Sequence, residues 1–198
     1  MSQIFDTEGR VKPVSILEAK PNTVVQVKNQ EKDGYTAVQI GTGEIKKLKK
    51  PQKGHLKKAL PESDILIRHL KEFVVSENDL EKFKAGDKID VSVFTEGEKV
   101  NVTGISKGKG FQGGVKRYGF HGHNKTHGTK HSERAPGSIG GTHPQHVIKG
   151  RRMAGRMGGD QITVKNLKIL QIDLAENLIL VSGALPGKKG DLLKIVGK

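Results

Sequence analysis

Apolar and polar residues alternate in several short stretches of this chain, and turn-forming residues separate these stretches. Alternation with period two is typical of strands that bury one face. In the first connection, Asp33-Gly34 suits a hairpin turn, because such turns favour residues that accept positive φ. The pattern predicts two hairpins, 24–27 with 35–40 and 89–94 with 100–105, and later strands at 162–164, 169–172, 178–181 and 192–196.

Helical periodicity is weak, and no long amphipathic helix is predicted anywhere. Ser76 and the acidic residues after it look like an N-cap and first turn, which predicts a short helix ending near Phe83. Residues 46–58 hold seven lysines, interrupted by Pro51 and Gly54, and are interpreted as a basic surface excursion. Two interpretations of the excursion stay open: a second contact with nucleic acid, or a solvated loop.

Charge is concentrated in one window of the chain. Residues 106–159 contain eleven Lys or Arg, six His and fourteen Gly but a single acid, Glu133, and supply +10 of the formal net charge of +14. A block of one sign with glycine between the charges has little apolar surface to bury and attracts a polyanion. Alone it would be open or disordered, and it would gain order from a partner. The window therefore predicts a nucleic-acid-binding segment.

The strands on either side of this window are predicted to share one core. Neither flanking piece alone offers many strands for a closed core. Residues 1–105 and 161–198 are therefore expected to form one discontinuous β-barrel domain, with residues 106–160 as an extension inserted between two of its strands. The predicted fold class is mainly β, with a small barrel, a long basic and glycine-rich extension, and one or two short helices.

Residues 108–113 match the GxGxxG pattern of dinucleotide-binding turns, and Glu133 follows twenty residues after Gly113. The context does not fit, because no helical apolar face follows and no second strand precedes Glu133. The glycines are better explained by close approach of the backbone to phosphate. Charge for that approach comes from Lys107, Lys109, Lys116 and Arg117.

The histidines of the window raise the alternative of a metal site in a metal- or phosphate-dependent enzyme. They stand at His121, His123, His127, His131, His143 and His146. Closed zinc sites normally recruit thiolates or carboxylates too, but this chain has no cysteine, and Glu133 is the only acid among eleven cations. Neutral imidazoles can instead stack on bases or donate to phosphate oxygens. We therefore predict RNA contact, no metal ligand and no cofactor.

Signals for other function classes are absent from the sequence. No GxSxG nucleophile elbow occurs, and the basic window has no paired carboxylates, so no catalytic residue and no small-molecule substrate are predicted. No apolar stretch is long enough for a membrane helix, and no secretion signal is visible. The expectation is a cytoplasmic protein without a membrane partner.

Several motifs in this window occur in a specific order. Together they resemble the bacterial form of ribosomal protein three of the large subunit, over nearly the whole chain. The motifs are VTGISKGKGFQG at 102–113, KR at 116–117, THG at 126–128, PGSIG at 136–140 and KGRRMAG at 149–155.

This resemblance implies a translation-protein β-barrel with an extension that threads into large-subunit rRNA toward the peptidyl transferase centre. It also implies a structural protein of early assembly, located in the cytoplasmic ribosome beside neighbouring large-subunit proteins, with no chemistry of its own. A free RNA chaperone or translation factor on a barrel is the alternative. The predicted RNA-binding residues are Lys107, Lys109, Lys116, Arg117, Lys125, His127, Lys130, Arg134, Ser138, His143, Lys149, Arg151, Arg152 and Arg156.

Two departures from the family pattern matter. Family members usually begin several residues earlier, with a strand that contains glycine and lysine, and Met1 aligns with an internal Met of that pattern. The resemblance therefore does not establish whether this chain has that barrel strand. Some bacterial relatives carry a methylated glutamine at the tip of the extension. Here His143 falls near that position, so the modification is not expected in this chain.

Overall fold

The computed structural model describes residues 1–6, 8–60 and 66–197. The chain forms two compact units. Unit 1 contains Met1–Val100, Asn166–Ala184 and Gly197, and unit 2 contains Asn101–Lys165 and Leu185–Val196. The predicted boundaries at 106 and 160 are a separate division of the chain and stay a prediction.

The described residues are mainly β, which confirms the predicted class. The helices are α1 Gln30–Asp33, α2 Lys50–Ala59, α3 Glu77–Leu80 and α4 Gly114–Tyr118, with a 3-10 turn at Val91–Val93. The strands are β1 Ser2–Phe5, β2 Val11–Glu18, β3 Asn22–Lys28, β4 Ala37–Glu44, β5 Ile67–Val74, β6 Lys88–Ile89, β7 Lys99–Ile105, β8 Phe111–Gln112, β9 Gly155–Arg156, β10 Gln161–Asp173, β11 Leu178–Ser182 and β12 Lys194–Gly197.

Unit 1 contains two antiparallel arrangements of strands. In one, β1, β2, β11 and residues 166–173 of β10 lie side by side, and in the other the order is β5-β4-β3-β6. Nearly all buried residues are aliphatic and lie on these strands, so hydrophobic burial holds the sheets in place. No closed barrel is found among the described residues, and the barrel therefore stays a prediction. The largest fully buried side chains of unit 1 are Val14, Val24, Val25, Val38, Val100, Ile169, Ile179 and Val181.

The first predicted hairpin is confirmed. Strands β3 and β4 pair antiparallel, with Lys28 opposite Ala37. The short helix α1 lies in the connection, and Gly34 ends it with φ of 78°. Glycine accepts this left-handed conformation at little cost. The positive φ of Gly34 agrees with the prediction, but the residue ends a helix and does not lie in the hairpin turn predicted for Asp33-Gly34.

The second predicted hairpin is wrong. Residues 89–94 do not form one strand, because β6 ends at Ile89 and pairs with β3, and a 3-10 turn follows. In this turn Val91 is buried, and its carbonyl accepts a hydrogen bond of 3.1 Å from the amide of Phe94. The local bond takes the place of a strand ladder, so period-two spacing of valines was a poor guide here.

The lysine-rich excursion contains a helix that was not predicted from the sequence. Residues 50–59 form α2, a helix of ten residues with Pro51 in its first turn, where proline is tolerated. Leu56 is only 4% exposed and packs with Val25 and Ile67 between the helix and its sheet. Burial of one helix face therefore overrides the weak local propensity.

The predictions for one further helix and for the strands after the basic window are confirmed with changed boundaries. The short helix after Ser76 is α3, and the strands predicted at 178–181 and 192–196 are β11 and β12. The strands predicted at 162–164 and 169–172 are one long strand, β10. Asn166, between the two predicted segments, has a φ of 58°, so the backbone of this strand is irregular there.

Candidate nucleic-acid interface

The base of the basic segment lies in unit 2 and is closely packed. There, residues of β7 lie between residues of β10 and β12, and Val102 is fully buried. A Cβ added to Gly104 would lie 2.5 Å from Leu193 Cδ2 and 3.0 Å from Pro186 Cγ. Glycine at this position allows the strand to pack closely, and the chain leaves β7 from a fixed point.

Beyond β7 the two ends of the basic segment run antiparallel and form what we call the stem, residues 106–112 with 155–160. The stem continues into the two-stranded pair of β8 and β9, with Phe111 opposite Arg156. Paired backbone groups need no other partner, so the stem holds a shape without an apolar core. Its backbone bonds include Ser106 N to Asp160 O (2.9 Å), Gly159 N to Ser106 O (3.1 Å), Lys109 N to Met157 O and Met157 N to Gly110 O (both 2.9 Å).

At two positions of the segment, only glycine leaves room for a neighbouring part of the backbone. Gly158 has φ of 80°, and a Cβ there would collide with the carbonyl oxygen of Lys107 and lie 3.0 Å from Gly108 Cα. Gly122 has φ of 71°, and its Cβ would collide with the carbonyl oxygen of Glu133. The sequence suggested that glycine lets the backbone approach phosphate, but at these two positions it lets one part of the backbone approach another.

An aromatic residue that sequence reasoning missed organises two of the predicted cations. The guanidinium carbons of Arg117 and Arg152 lie 4.9 Å and 5.7 Å from the ring centroid of Tyr118. Arg117 also donates from Nη1 to the carbonyl oxygen of Met153 at 2.8 Å. Cation–π attraction and this hydrogen bond hold α4 against residues 152–153. An aromatic residue among the cations of the window was the signal that could have identified Tyr118.

A cavity of about 400 Å³ opens beside Tyr118. Its lining combines the rings of Tyr118 and Phe120, the imidazoles of His121 and His123, and Arg152. Tyr118 and Phe120 are tilted by 30° with centroids 6.0 Å apart. Flat rings and a guanidinium can stack on an unpaired base, and the guanidinium can bind a phosphate oxygen.

The tip of the segment, residues 136–154, is exposed at every position. Its internal polar contacts are few, and one of them is a bond of 2.8 Å from Arg151 Nη2 to the carbonyl oxygen of Ser138. Apolar side chains are exposed as well, with Ile139 at 43% and Ile148 at 62%. A segment with no core of its own that displays both cations and aliphatic groups is suited to a surrounding partner.

The structure places thirteen of the fourteen predicted RNA-binding residues at exposed positions, and Arg117 is half-buried. Lys107, Lys109 and Arg156 lie on the stem, and Lys125 forms the segment's one ion pair among the described residues, 3.5 Å from Glu133. The other cations of the segment form no ion pair with any residue that the structure describes. Direct contacts bring only some of the predicted residues together. Arg117 and Arg152 both lie against the ring of Tyr118, and Arg151 donates a hydrogen bond to the carbonyl of Ser138.

The structure around the GxGxxG motif differs from that of a dinucleotide-binding turn. A short helix, α4, begins after Gly113, although no helical periodicity is visible at these residues. The strand before it, β8, pairs antiparallel with β9. A dinucleotide-binding turn requires a parallel βαβ unit, and this arrangement is not one.

The histidines of the window do not assemble into a ligand set. Across residues 1–6, 8–60 and 66–197, no three His, Asp or Glu side chains are grouped so that they could hold a metal ion. Within the same described ranges, no helix has the length and apolar character needed to cross a membrane.

Comparison with known proteins identifies the family. The family model of ribosomal protein L3 matches residues 70–178. The large ribosomal subunit protein uL3 of Herpetosiphon aurantiacus is 49% identical over 98% of this chain and 91% of its own length. The proteins of that name from Chlorobium phaeobacteroides and Carboxydothermus hydrogenoformans are 50% and 46% identical, over 99% and 98% of this chain and 93% and 91% of their own lengths. The chain belongs to the ribosomal protein L3 family, and it is a structural protein rather than an enzyme.

Proposed function

We propose that this chain is a structural constituent of the large ribosomal subunit and binds large-subunit rRNA through its extension, residues 106–160. The observation that carries the proposal is the exposure of a nearly acid-free block of cations on a segment without a core. The relatives named as large ribosomal subunit proteins support the assignment. The rRNA supplies the polyanion that such a segment requires.

In this proposal each part of the extension has its own task. The stem positions the segment, and the Tyr118 cluster presents two guanidinium groups in fixed orientations. Exposed lysines and arginines neutralise phosphates, and the rings beside Tyr118 accept an unstacked base. The RNA-contacting residues are the fourteen predicted from the sequence, with Tyr118 added.

The tip is proposed to be the innermost part. Residues 138–148 would reach toward the peptidyl transferase centre, where the exposed Ile139 and Ile148 are covered by folded RNA. Cations bound deep in RNA screen phosphates that must approach one another, so the chain supports early subunit assembly. It contributes no catalytic group.

The rest of the chain is proposed to anchor the extension. Residues 1–105 and 161–198 would form a translation-protein-type barrel at the subunit surface, in contact with neighbouring large-subunit proteins. The particle, and therefore the chain, is cytoplasmic.

Fractionation of ribosomes from the source cells tests this function directly. We expect the chain in large subunits, and it should remain there after a wash at moderate salt. Its absence from large subunits would refute the proposal. Release at moderate salt would favour the alternative, a free RNA chaperone or translation factor.

A double variant, Arg151→Gln with Arg152→Gln, tests the role of the extension. Neutralising both side chains should reduce incorporation into large subunits while thermal unfolding of unit 1 stays unchanged, because neither residue belongs to unit 1. The matched control is Lys188→Gln with Lys189→Gln, an adjacent exposed pair outside the extension. Equal incorporation of both variants would count against the assigned role.

A further inference from the structure

A second concentration of positive charge lies in unit 1, around α2. Residues 46–58 contain seven lysines, and the sequence has no acid between Glu44 and Glu62. All seven lysines are exposed. Over the described parts of the chain, none of their side chains forms an ion pair.

The helix sorts its residues onto two faces. Leu56 lies at the buried face with Val25 and Ile67, and Leu48, Ala59 and Leu60 pack against the same cluster. Beside this buried face, Lys50, Lys53 and Lys57 are exposed and are spaced by three and four residues, which places them together along the helix surface. We call these three residues the lysine face. His55 is not part of it, because its ring lies 2.7 Å from Gln39 Oε1.

The lysine face is electrostatically unfavourable in the free protein. Like charges three or four residues apart destabilise a helix, and the first turn of α2 contains no acid to offset Lys50 near the positive end of the helix dipole. Gly54 adds an entropic cost in the middle of the helix. The helix forms because it buries Leu56 on the sheet, and its charge stays uncompensated within the described residues.

We propose that the lysine face is a second RNA-binding surface of this chain, which contacts backbone phosphates. The inference rests on the proposed function and extends it from the extension to unit 1. The surface has lysine but no arginine and no exposed aromatic side chain, so it offers point charges without planar groups that stack on bases or bind them in a bidentate manner. Binding should therefore depend on salt and little on sequence.

The test compares full-length variants in their binding to large-subunit rRNA, measured as a function of KCl concentration. The triple variant Lys50→Gln, Lys53→Gln, Lys57→Gln removes the lysine face. The matched control is Lys32→Gln, Lys71→Gln, Lys84→Gln, which removes three exposed lysines of unit 1 elsewhere. The Arg151→Gln, Arg152→Gln variant reports on the extension in the same assay.

We expect the slope of log Kobs against log[salt] to become shallower by about 2 to 3 in the triple variant, since each lost phosphate contact contributes about 0.7 to 0.9. The control slope should equal that of the wild type. An unchanged slope in the triple variant with a shallower slope in the extension variant would overturn this inference and leave the proposed function intact. Unchanged slopes in both variants would refute both.

The thermal stability of the free triple variant shows whether weaker RNA binding results from the lost contacts or from unfolding of the protein. Because the triple variant removes repulsion within α2, its thermal midpoint should equal or exceed that of the wild type. If it unfolds instead, the single variant Lys53→Gln is used, with an expected slope change of about 0.7 to 0.9. If rRNA binding is unchanged but the triple variant loses a neighbouring protein in reconstituted particles, the lysine face binds an acidic protein surface and the RNA proposal is wrong.

Discussion

Replacement of Gly158 by alanine tests whether close backbone approach holds the stem together. Alanine at a φ of 80° costs about 1 to 2 kcal/mol from the left-handed conformation alone. Its Cβ would also collide with the carbonyl oxygen of Lys107, so the two arms of the stem must move apart. The variant therefore carries a conformational cost and a steric cost.

Gly150→Ala is the matched control for the conformational cost. Gly150 has the same φ of 80°, but a Cβ there would have no heavy atom within 4 Å. The steric cost at Gly158 falls on the hydrogen bonds on either side, from Gly159 N to Ser106 O and from Lys109 N to Met157 O. Each is worth about 0.5 to 1.5 kcal/mol. Opening of the stem should thus be about 1 to 3 kcal/mol easier in Gly158→Ala than in Gly150→Ala.

Native-state hydrogen exchange at the amides of Lys109 and Met157 measures this difference. Since 1.4 kcal/mol is a factor of ten, these amides should exchange roughly 5 to 150 times faster in Gly158→Ala than in Gly150→Ala. Equal exchange in the two variants would refute the packing argument. Unprotected exchange at both amides in the wild type would refute the stem itself.

Three further predictions concern unit 1. A Cβ at Gly41 would lie 2.8 Å from Ile67 Cδ1, so Gly41→Ala should destabilise the protein by about 1 to 3 kcal/mol in urea unfolding. At Gly54, within α2, a Cβ would have no heavy atom within 4 Å, so Gly54→Ala should stabilise the protein by about 0.5 to 1 kcal/mol. A destabilising Gly54→Ala would contradict the helix. Hydrogen bonds from the Lys28 ammonium and the Tyr35 hydroxyl lower the pKa of the Glu72 carboxyl from its ordinary 4.5. Its stabilising contribution is therefore complete above that value and is lost as the pH falls through the lower folded pKa. In urea unfolding between pH 7 and pH 3, the wild type should lose more stability than Glu72→Gln. Equal losses of stability in the two proteins would argue against the ion pair of Lys28 with Glu72.

The strands with one clearly buried face were accessible from sequence, and the lysine-rich helix was not. The apolar positions identified β3, β4 and β11, but only β11 buries alternate residues, Ile179 and Val181. The strands β3 and β4 each bury an adjacent pair of residues. In α2, Pro51 and Gly54 concealed a helix that depends on a single buried leucine and its sheet partners. The strand β5 was missed for a related reason, because its apolar residues Ile67, Leu70 and Phe73 are spaced by three.

The location of the candidate interface could be predicted from charge, but its internal arrangement could not. The numbers of cations and glycines identify a segment whose charge favours binding to a polyanion. The stem is built from backbone hydrogen bonds and from Gly158 in a left-handed conformation, and neither leaves a periodic pattern of side chains. The aromatic residue among the cations was visible in the sequence, but the contact of Arg152 with Tyr118 joins residues that are far apart in the chain, so composition does not reveal it.

The pairing of Ser106 with Asp160 makes the segment between them a removable module. Its two ends are hydrogen-bonded to each other at 2.9 Å, so a short turn could replace the whole segment without a change in the position of either strand. The entropy of closing a loop rises only slowly with its length. A segment of another length could therefore start and end at the same two residues, while the strands that carry it keep their own packing.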